Sequence, residues 1–386
     1  ILTGFIGSFA ILIAPEGLSI NTMVDSYGHQ DVRFFAFFLM LYGLVVFSIF
    51  SILFKLKIFD AVTIVHNRKI SSYFVSLATV VFACLALYFL WNRMFGIIQV
   101  LTNSLDAFQV LELRAKIVEN EMGGYFWRYL LIDTLLWIFI LFLQFNKRFK
   151  VHSLLLTVIM SLYLISSLAK IKLVFFLLSI YVIRNWDNGF NFQRLLKLSI
   201  VILIILVMMW AVLVGDLNFD YLFSIYSQGM VGRILISEVS AIYPHLDLYG
   251  SQLDYIGISS LSNQLATIFG SEVLPRSGRQ VLEFVSPGWV KMGIGGVYNT
   301  VFFGEAYANF EALGLLISPI FVAFVYVVVI LSSRLIRGPF RIAFLVHTTF
   351  TLSVMSGIND FIWNPFLIIT FIFLVFFSRL SILNSK

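Results

Sequence analysis

Ten apolar runs dominate this chain, at roughly 1–13, 33–54, 70–92, 128–145, 152–168, 169–183, 198–215, 300–333, 340–358 and 361–378. A helix that crosses a bilayer needs about 20 mostly apolar residues, and most of these runs approach or exceed that length. A water-soluble fold of 386 residues could not hide them. The sequence is 60% hydrophobic with 42 phenylalanines, and its 12% of charged residues is far below the about 25% usual in soluble domains. The pattern predicts an all-α polytopic integral membrane protein, a single transmembrane domain over 1–386 with about ten visible spans. The stretch 152–183 is too long for one ordinary span and short for two. Lys170 and Lys172 near its middle predict two short helices joined by a tight turn. The run 1–13 reads as the end of a span that begins before Ile1, and it carries neither the basic start nor the cleavage site of a signal peptide.

The loops give the spans a direction. One alternate set holds Lys55, Lys57, Arg68, Lys69, Lys147, Arg148, Lys150, Arg184, Arg194, Lys197, Arg334, Arg337, Arg341, Arg379 and Lys386, with only Asp60 and Asp187 against them. By the positive-inside rule this set is cytoplasmic, and the parity requires 152–183 to count as two spans. The net charge of +6 is then mostly a topogenic signal, which argues against a nucleic-acid partner. The opposite face holds two long segments, 93–127 and 216–298, read as periplasmic loops. Loops of that length are usually functional or disordered. The second is rich in Tyr, Leu and Ile, which disfavours disorder and predicts interfacial or re-entrant helices packed against the bundle.

Basic residues on that face have no topogenic role. Lys170 and Lys172 lie near the outer end of the fifth and sixth spans, and Arg233, Arg276 and Arg279 lie in the long loop. Arg donates two parallel hydrogen bonds to phosphate, so several converging on one cavity would hold a diphosphate. Pairing with the loop's many acids, or snorkelling to headgroups, is the competing reading. The stretch from Gly304 to Phe310 opens the eighth span, with Glu305 one turn from Asn309 on the same helix face. Glu305 either caps that helix against its dipole or serves as a base beside an apolar bundle. Tyr307 and Asn309 add sugar-type hydrogen-bonding groups. Asp360, in the turn from Ser356 to Asp360, is a second carboxylate for the cavity or a cap with Asn359. Arg233, Ser237 and Ser240 can share one helix face, with Glu238 displaced from it by one position. His245, after Tyr243-Pro244, is a candidate proton carrier or a plain surface residue. His29, His66, His152 and His347 lack partners that would make a metal site, the lone Cys84 allows no internal disulfide, and no P-loop or dinucleotide fingerprint is present. No cofactor is expected.

The order of these features resembles the O-antigen polymerase (Wzy) family. The resemblance is carried by the Lys-containing hairpin of spans, an Arg followed by Tyr243-Pro244-His245, and an Arg-containing loop ending in Gly304-Glu305-Ala306-Tyr307-Ala308-Asn309-Phe310-Glu311. As topology it covers most of the chain; as motif it is confined to about 165–175, 230–250 and 300–314. In relatives a glycine is expected directly after the Asn-Phe pair, whereas here Glu311 stands there and the glycine is Gly314.

The resemblance implies a GT-C-like fold of 10–12 spans in the bacterial inner membrane with its site facing the periplasm. It also implies a glycosyltransferase that lengthens undecaprenyl-diphosphate-linked repeat units for lipopolysaccharide or a related surface polysaccharide. Donor and acceptor are lipid-linked glycans, and membrane lipids and a chain-length regulator are the further partners. On this reading Glu305 is the base, with Glu238 and Asp360 as substitutes. Arg233, Arg276 and Arg279, with Lys170 and Lys172, hold the diphosphate. Trp289, Tyr243 and Tyr307 stack on sugars, with Asn309 and His245 beside them. Two other activities share the layout. An O-antigen ligase has the same need for outer cations. A lipid-linked oligosaccharide flippase would instead place charges along a pathway open to both sides.

Overall fold

Apolar chain in lipid must satisfy its own backbone hydrogen bonds, which leaves helices and closed barrels; this chain takes the helical solution. A computed structural model describes residues 2–13, 26–54, 72–102, 125–166, 170–186, 238–291, 300–352 and 357–383, with a few isolated positions between them. In chain order the helices are α1 (Leu2–Ile13), α2 (Gln30–Leu53), α3 (Ser72–Thr102), α4 (Tyr125–Gln144), α5 (Lys150–Ser166) and α6 (Lys170–Arg184). Then come the short α7 (Ile242–Leu248), α8 (Asn263–Ile268), α9 (Ser277–Val285) and α10 (Pro287–Lys291), followed by α11 (Phe302–Ser332), α12 (Pro339–Thr351), α13 (Asn359–Ile362) and α14 (Pro365–Leu383). Among the described residues there is no named strand, and five helical stretches are long and apolar enough to cross a membrane. They are Gln30–Leu53, Ser72–Trp91, Tyr125–Gln144, Phe302–Leu335 and Asn359–Arg379, with Gly4–Ile13 and Lys150–Ser166 as shorter apolar helices. The chain is thus a multi-pass helical membrane protein.

Two sequence boundaries shift. Residues 93–102, read as the start of a loop, continue α3, and 125–127 belong to α4. The stretch 152–183 does form two helices, α5 and α6. Most of the run 198–215 and nearly all of 103–124 lie outside the described residues.

The chain divides into two compact units. Unit 1 comprises Ile1–Ile58, Asn218–Ile330 and Leu352–Asn364; unit 2 comprises Phe59–Leu217, Leu331–Thr351 and Pro365–Lys386. In unit 1, α1 lies along α2, with Phe5 and Phe9 against Phe37 at ring-centroid distances of 5.2 and 5.9 Å. The Tyr42 hydroxyl of α2 donates to the Leu316 carbonyl of α11 at 2.8 Å. The segment expected to pack on the bundle does so. Leu248, Tyr249, Ile256 and Val281 form an apolar cluster with Ala308 of α11, and the Ile256 N–H donates to the Ala308 carbonyl at 2.9 Å.

α11 is not one straight span. Phe310 (φ −133°, ψ 17°) and Glu311 (φ 56°, ψ −146°) leave helical geometry and break it in two. The break turns the two halves onto each other: a Cβ at Gly314 would lie 2.0 Å from the Ala306 carbonyl oxygen, so only glycine fits. The short first half, Phe302 to Asn309, is largely buried and carries Glu305.

Unit 2 is organised around α4. Every residue from Trp137 to Leu143 is buried. The Trp137 indole N–H donates to Ser179 of α6 at 2.9 Å, and Phe142 stacks on Phe340 of α12 at 3.9 Å. Residues Tyr129–Leu136 of α4 are π-helical.

Candidate functional site around Glu305

Glu305 and Asn309 are one turn apart, and both are buried, at 4% and 3% exposure. They face the turn that precedes α13. The Asn359 backbone N–H donates to Glu305 Oε2 at 3.0 Å. Asn309 Nδ2 donates to Asn359 Oδ1 at 3.1 Å, and Asn359 Nδ2 donates to the Ser260 carbonyl at 2.6 Å. Ser260 Oγ donates to Asn309 Oδ1 at 2.8 Å and so closes a ring of polar groups. Each member satisfies another, as buried polar atoms require. Gly357 lets the carboxylate in: a Cβ there would stand 1.7 Å from Glu305 Oε2.

The ring leads to charge at its rim. Arg276, which precedes α9, donates from Nη2 to Asp360 Oδ1 at 2.7 Å, and both side chains are partly exposed. Arg276 and Asp360 are both within electrostatic reach of Glu305. Asp360 stands in the first turn of α13, and its carboxylate also holds Arg276. Arg279 is bonded to Glu283 one turn along α9 at 2.8 Å. The Tyr255 hydroxyl donates to the Tyr307 hydroxyl at 3.0 Å, with the rings edge to face.

His245 differs from its surface reading. It is fully buried, its Nδ1–H donates to the Ala241 carbonyl at 2.6 Å, and Nε2 accepts from Ser277 Oγ at 3.1 Å. A carbonyl can only accept, so the ring is the neutral Nδ1–H tautomer. Burial pushes its pKa down to about 4, with the Ala241 hydrogen bond opposing. Tyr249 packs beside it, and burial followed by the Glu305 charge raises its hydroxyl above the ordinary phenol range. Tyr243 is also fully buried, and burial raises its hydroxyl pKa. Neither Tyr243 nor His245 offers a surface to a ligand in this arrangement.

No protein-family model, curated protein or solved structure matches this chain.

Of the residues expected at a site, the structure brings together Glu305, Asn309, Asp360 and Arg276, with Tyr307 on the same half-helix. Arg233 lies outside the described residues, as do the side chains of Glu238, Trp289 and Lys170. Lys172 belongs to unit 2, where it donates to Asp133 at 3.0 Å. Sequence reasoning missed Ser260, which carries no signal in an ordinary Ser-rich stretch. It also missed Asp133, a carboxylate inside an apolar run, which is a recognisable signal.

The arrangement supplies three chemical elements: a water-shielded carboxylate fixed by one N–H donor, a guanidinium at the rim, and a second carboxylate that holds that guanidinium.

Proposed function

We propose that this chain is a glycosyltransferase of the bacterial inner membrane that polymerises undecaprenyl-diphosphate-linked repeat units at the periplasmic face. The finer fold, GT-C-like with 10–12 spans, belongs to the same proposal. The observation that carries it is the meeting of Glu305, Asp360 and Arg276 at one place, because transfer from a lipid diphosphate needs a base and fixed positive charge together. Glu305 takes the proton from the acceptor hydroxyl. The acceptor oxygen forms its bond to the anomeric carbon as the bond from that carbon to the diphosphate oxygen breaks, which inverts the centre. The leaving diphosphate carries the electron pair away and is neutralised by Arg276, with Arg233 and Arg279 as further cations. Asp360 holds Arg276 in place and is the substitute base, with Glu238. The turn from Gly357 to Asp360 covers Glu305, so it must shift for a hydroxyl to reach the carboxylate. Tyr307 and Asn309 are the nearest sugar-binding groups.

The test is polymer length in cells that lack their own polymerase and carry single variants. Glu305→Gln should leave single repeat units on the lipid core. Full-length polymer from Glu305→Gln would overturn the base assignment. Silent Arg233→Ala and Arg276→Ala together would overturn the diphosphate site. Loss of all repeats from the core would indicate a ligase instead.

A further inference from the structure

Unit 1 exposes apolar surface where no span lies. Between positions 238 and 300, the described residues with large, exposed apolar side chains are Ile268, Phe269, Val273 and Phe284. Ile268 and Phe269 are 74% and 64% exposed, at least as open as Leu313 and Leu316 on the outside of α11. Single exposed apolar residues are ordinary on a wet surface, but Ile268, Phe269 and Val273 fall within one short turn of chain and form a patch.

The patch is built and held. α8 starts after Ser262, whose Oγ accepts from the Leu265 N–H at 3.0 Å. It stops at Gly270, where the Gly270 N–H donates to the Thr267 carbonyl at 3.1 Å and the Ser271 N–H to the Ala266 carbonyl at 2.9 Å. That pair of bonds is a Schellman stop. Ala266 is buried and Leu265 half-buried, which leaves Ile268 and Phe269 on the outer side. The chain then returns, and the Leu274 N–H donates to the Ser259 carbonyl at 3.1 Å. A closed, hydrogen-bonded tip therefore carries Ile268, Phe269 and Val273.

The tip is tied to the level at which lipid-facing surface begins. Ser260, beside Ser259, bonds Asn309 of α11. Gly314 packs on Ala306 across the break in α11, so Leu313 is level with the half-helix that carries Asn309. Leu313, Leu316, Ile317 and Ile320 are all exposed on a membrane-spanning helix, a face that lipid covers.

We propose that the tip from Ile268 to Val273 is an interfacial anchor, which seats Ile268, Phe269 and Val273 among the lipids of the leaflet on the Glu305 side. Apolar side chains of such anchors sink about 5–10 Å into the boundary between headgroups and acyl chains. Glu272 stays at headgroup level, as do Pro275 and Arg276 at the return, all three being exposed. The anchor thus holds Arg276, at the rim of the Glu305 site, at the depth of lipid phosphates. A second copy of this chain is the competing occupant. The inference concerns where the tip sits and holds whether or not Glu305 acts as a base.

The experiment uses the full chain in phosphatidylcholine nanodiscs loaded at one chain per disc. In a Cys84→Ser background, which removes the one native cysteine, Phe269→Cys is labelled with the environment-sensitive fluorophore NBD. Val273→Cys is a second reporter. Gln252→Cys, on an exposed turn outside the spans, is the aqueous control, and Leu316→Cys is the lipid control. Labels at 269 and 273 should emit to the blue of the label at 252. They should also be quenched by a lipid with a nitroxide high on its acyl chain and be shielded several-fold from aqueous iodide. Labels at 269 and 273 as open to iodide as the label at 252 would overturn the anchor. So would shielding that appears only in discs loaded with two chains, which assigns the tip to a contact between copies. The unmutated chain gives an independent reading. Phosphatidylcholine with a diazirine near its headgroup should crosslink within 267–274, and adducts confined to the spans would overturn the anchor.

Discussion

Gly357→Ala is the sharpest perturbation of the Glu305 site. Gly357 does not have a left-handed φ, so alanine suits its backbone and the effect is purely steric. The added Cβ would meet Glu305 Oε2 at 1.7 Å, Cδ at 2.4 Å and Oε1 at 2.9 Å. Either the carboxylate withdraws and the Asn359 N–H bond at 3.0 Å is lost, or the turn moves away from α11. A hydrogen bond to a charged group contributes about 1.5–3 kcal/mol, and overpacking a dense site costs about 1–3 kcal/mol. The two alternatives share one displacement and do not add, so the expected loss is about 2–3 kcal/mol. The assay is thermal unfolding of the purified chain in detergent, run as a double-mutant cycle with Glu305→Ala. In the Glu305→Ala background the carboxylate is gone, and Gly357→Ala should cost less than about 1 kcal/mol by the same arithmetic. Equal costs in both backgrounds, or no cost in the wild type, would refute the contact between Gly357 and Glu305.

Two further predictions follow. At the break in α11, Glu311 is exposed and held at φ 56°, a region that disfavours side chains by about 1–2 kcal/mol. Glu311→Gly should therefore raise the melting temperature, whereas Gly314→Ala, whose Cβ collides with the Ala306 carbonyl, should lower it sharply. His245 is neutral when folded, with its pKa depressed to about 4 against about 6.5 when unfolded. The unfolded state binds the extra proton, so the associated stability is complete above about pH 6.5 and is lost as pH falls towards 4. The loss reaches about 3 kcal/mol by linkage. Amide exchange in α7 should accelerate over that range, and His245→Gln should flatten the acid limb.

Much of the fold was legible because lipid leaves few choices. Apolar length identified α2, α3, α4, α11 and α14, and the two lysines marked the break between α5 and α6. The Glu305–Asn309 pairing followed from helical spacing alone. The partners did not, because Asn359 and Ser260 lie far away in sequence and only tertiary folding brings them to α11. The break at Phe310–Glu311 was illegible for a related reason. Nothing local requires Glu311 to take a glycine-like conformation; the packing of Gly314 on Ala306 imposes it. His245 read as a surface residue because its neighbours Asp247 and Tyr249 look like loop. Burial against Ser277 comes from α9, some thirty residues on. The buried Arg93 and Arg128 were hidden by their placement at the ends of apolar runs, where a cation usually signals only an interface.

The most direct test of the account is extension of purified lipid-linked repeat units by the purified chain alone, without nucleotide sugar or added metal. The account predicts stepwise lengthening with release of lipid diphosphate by the wild type, and its loss in Glu305→Gln. No lengthening by a folded wild type, or equal lengthening by Glu305→Gln, would contradict it.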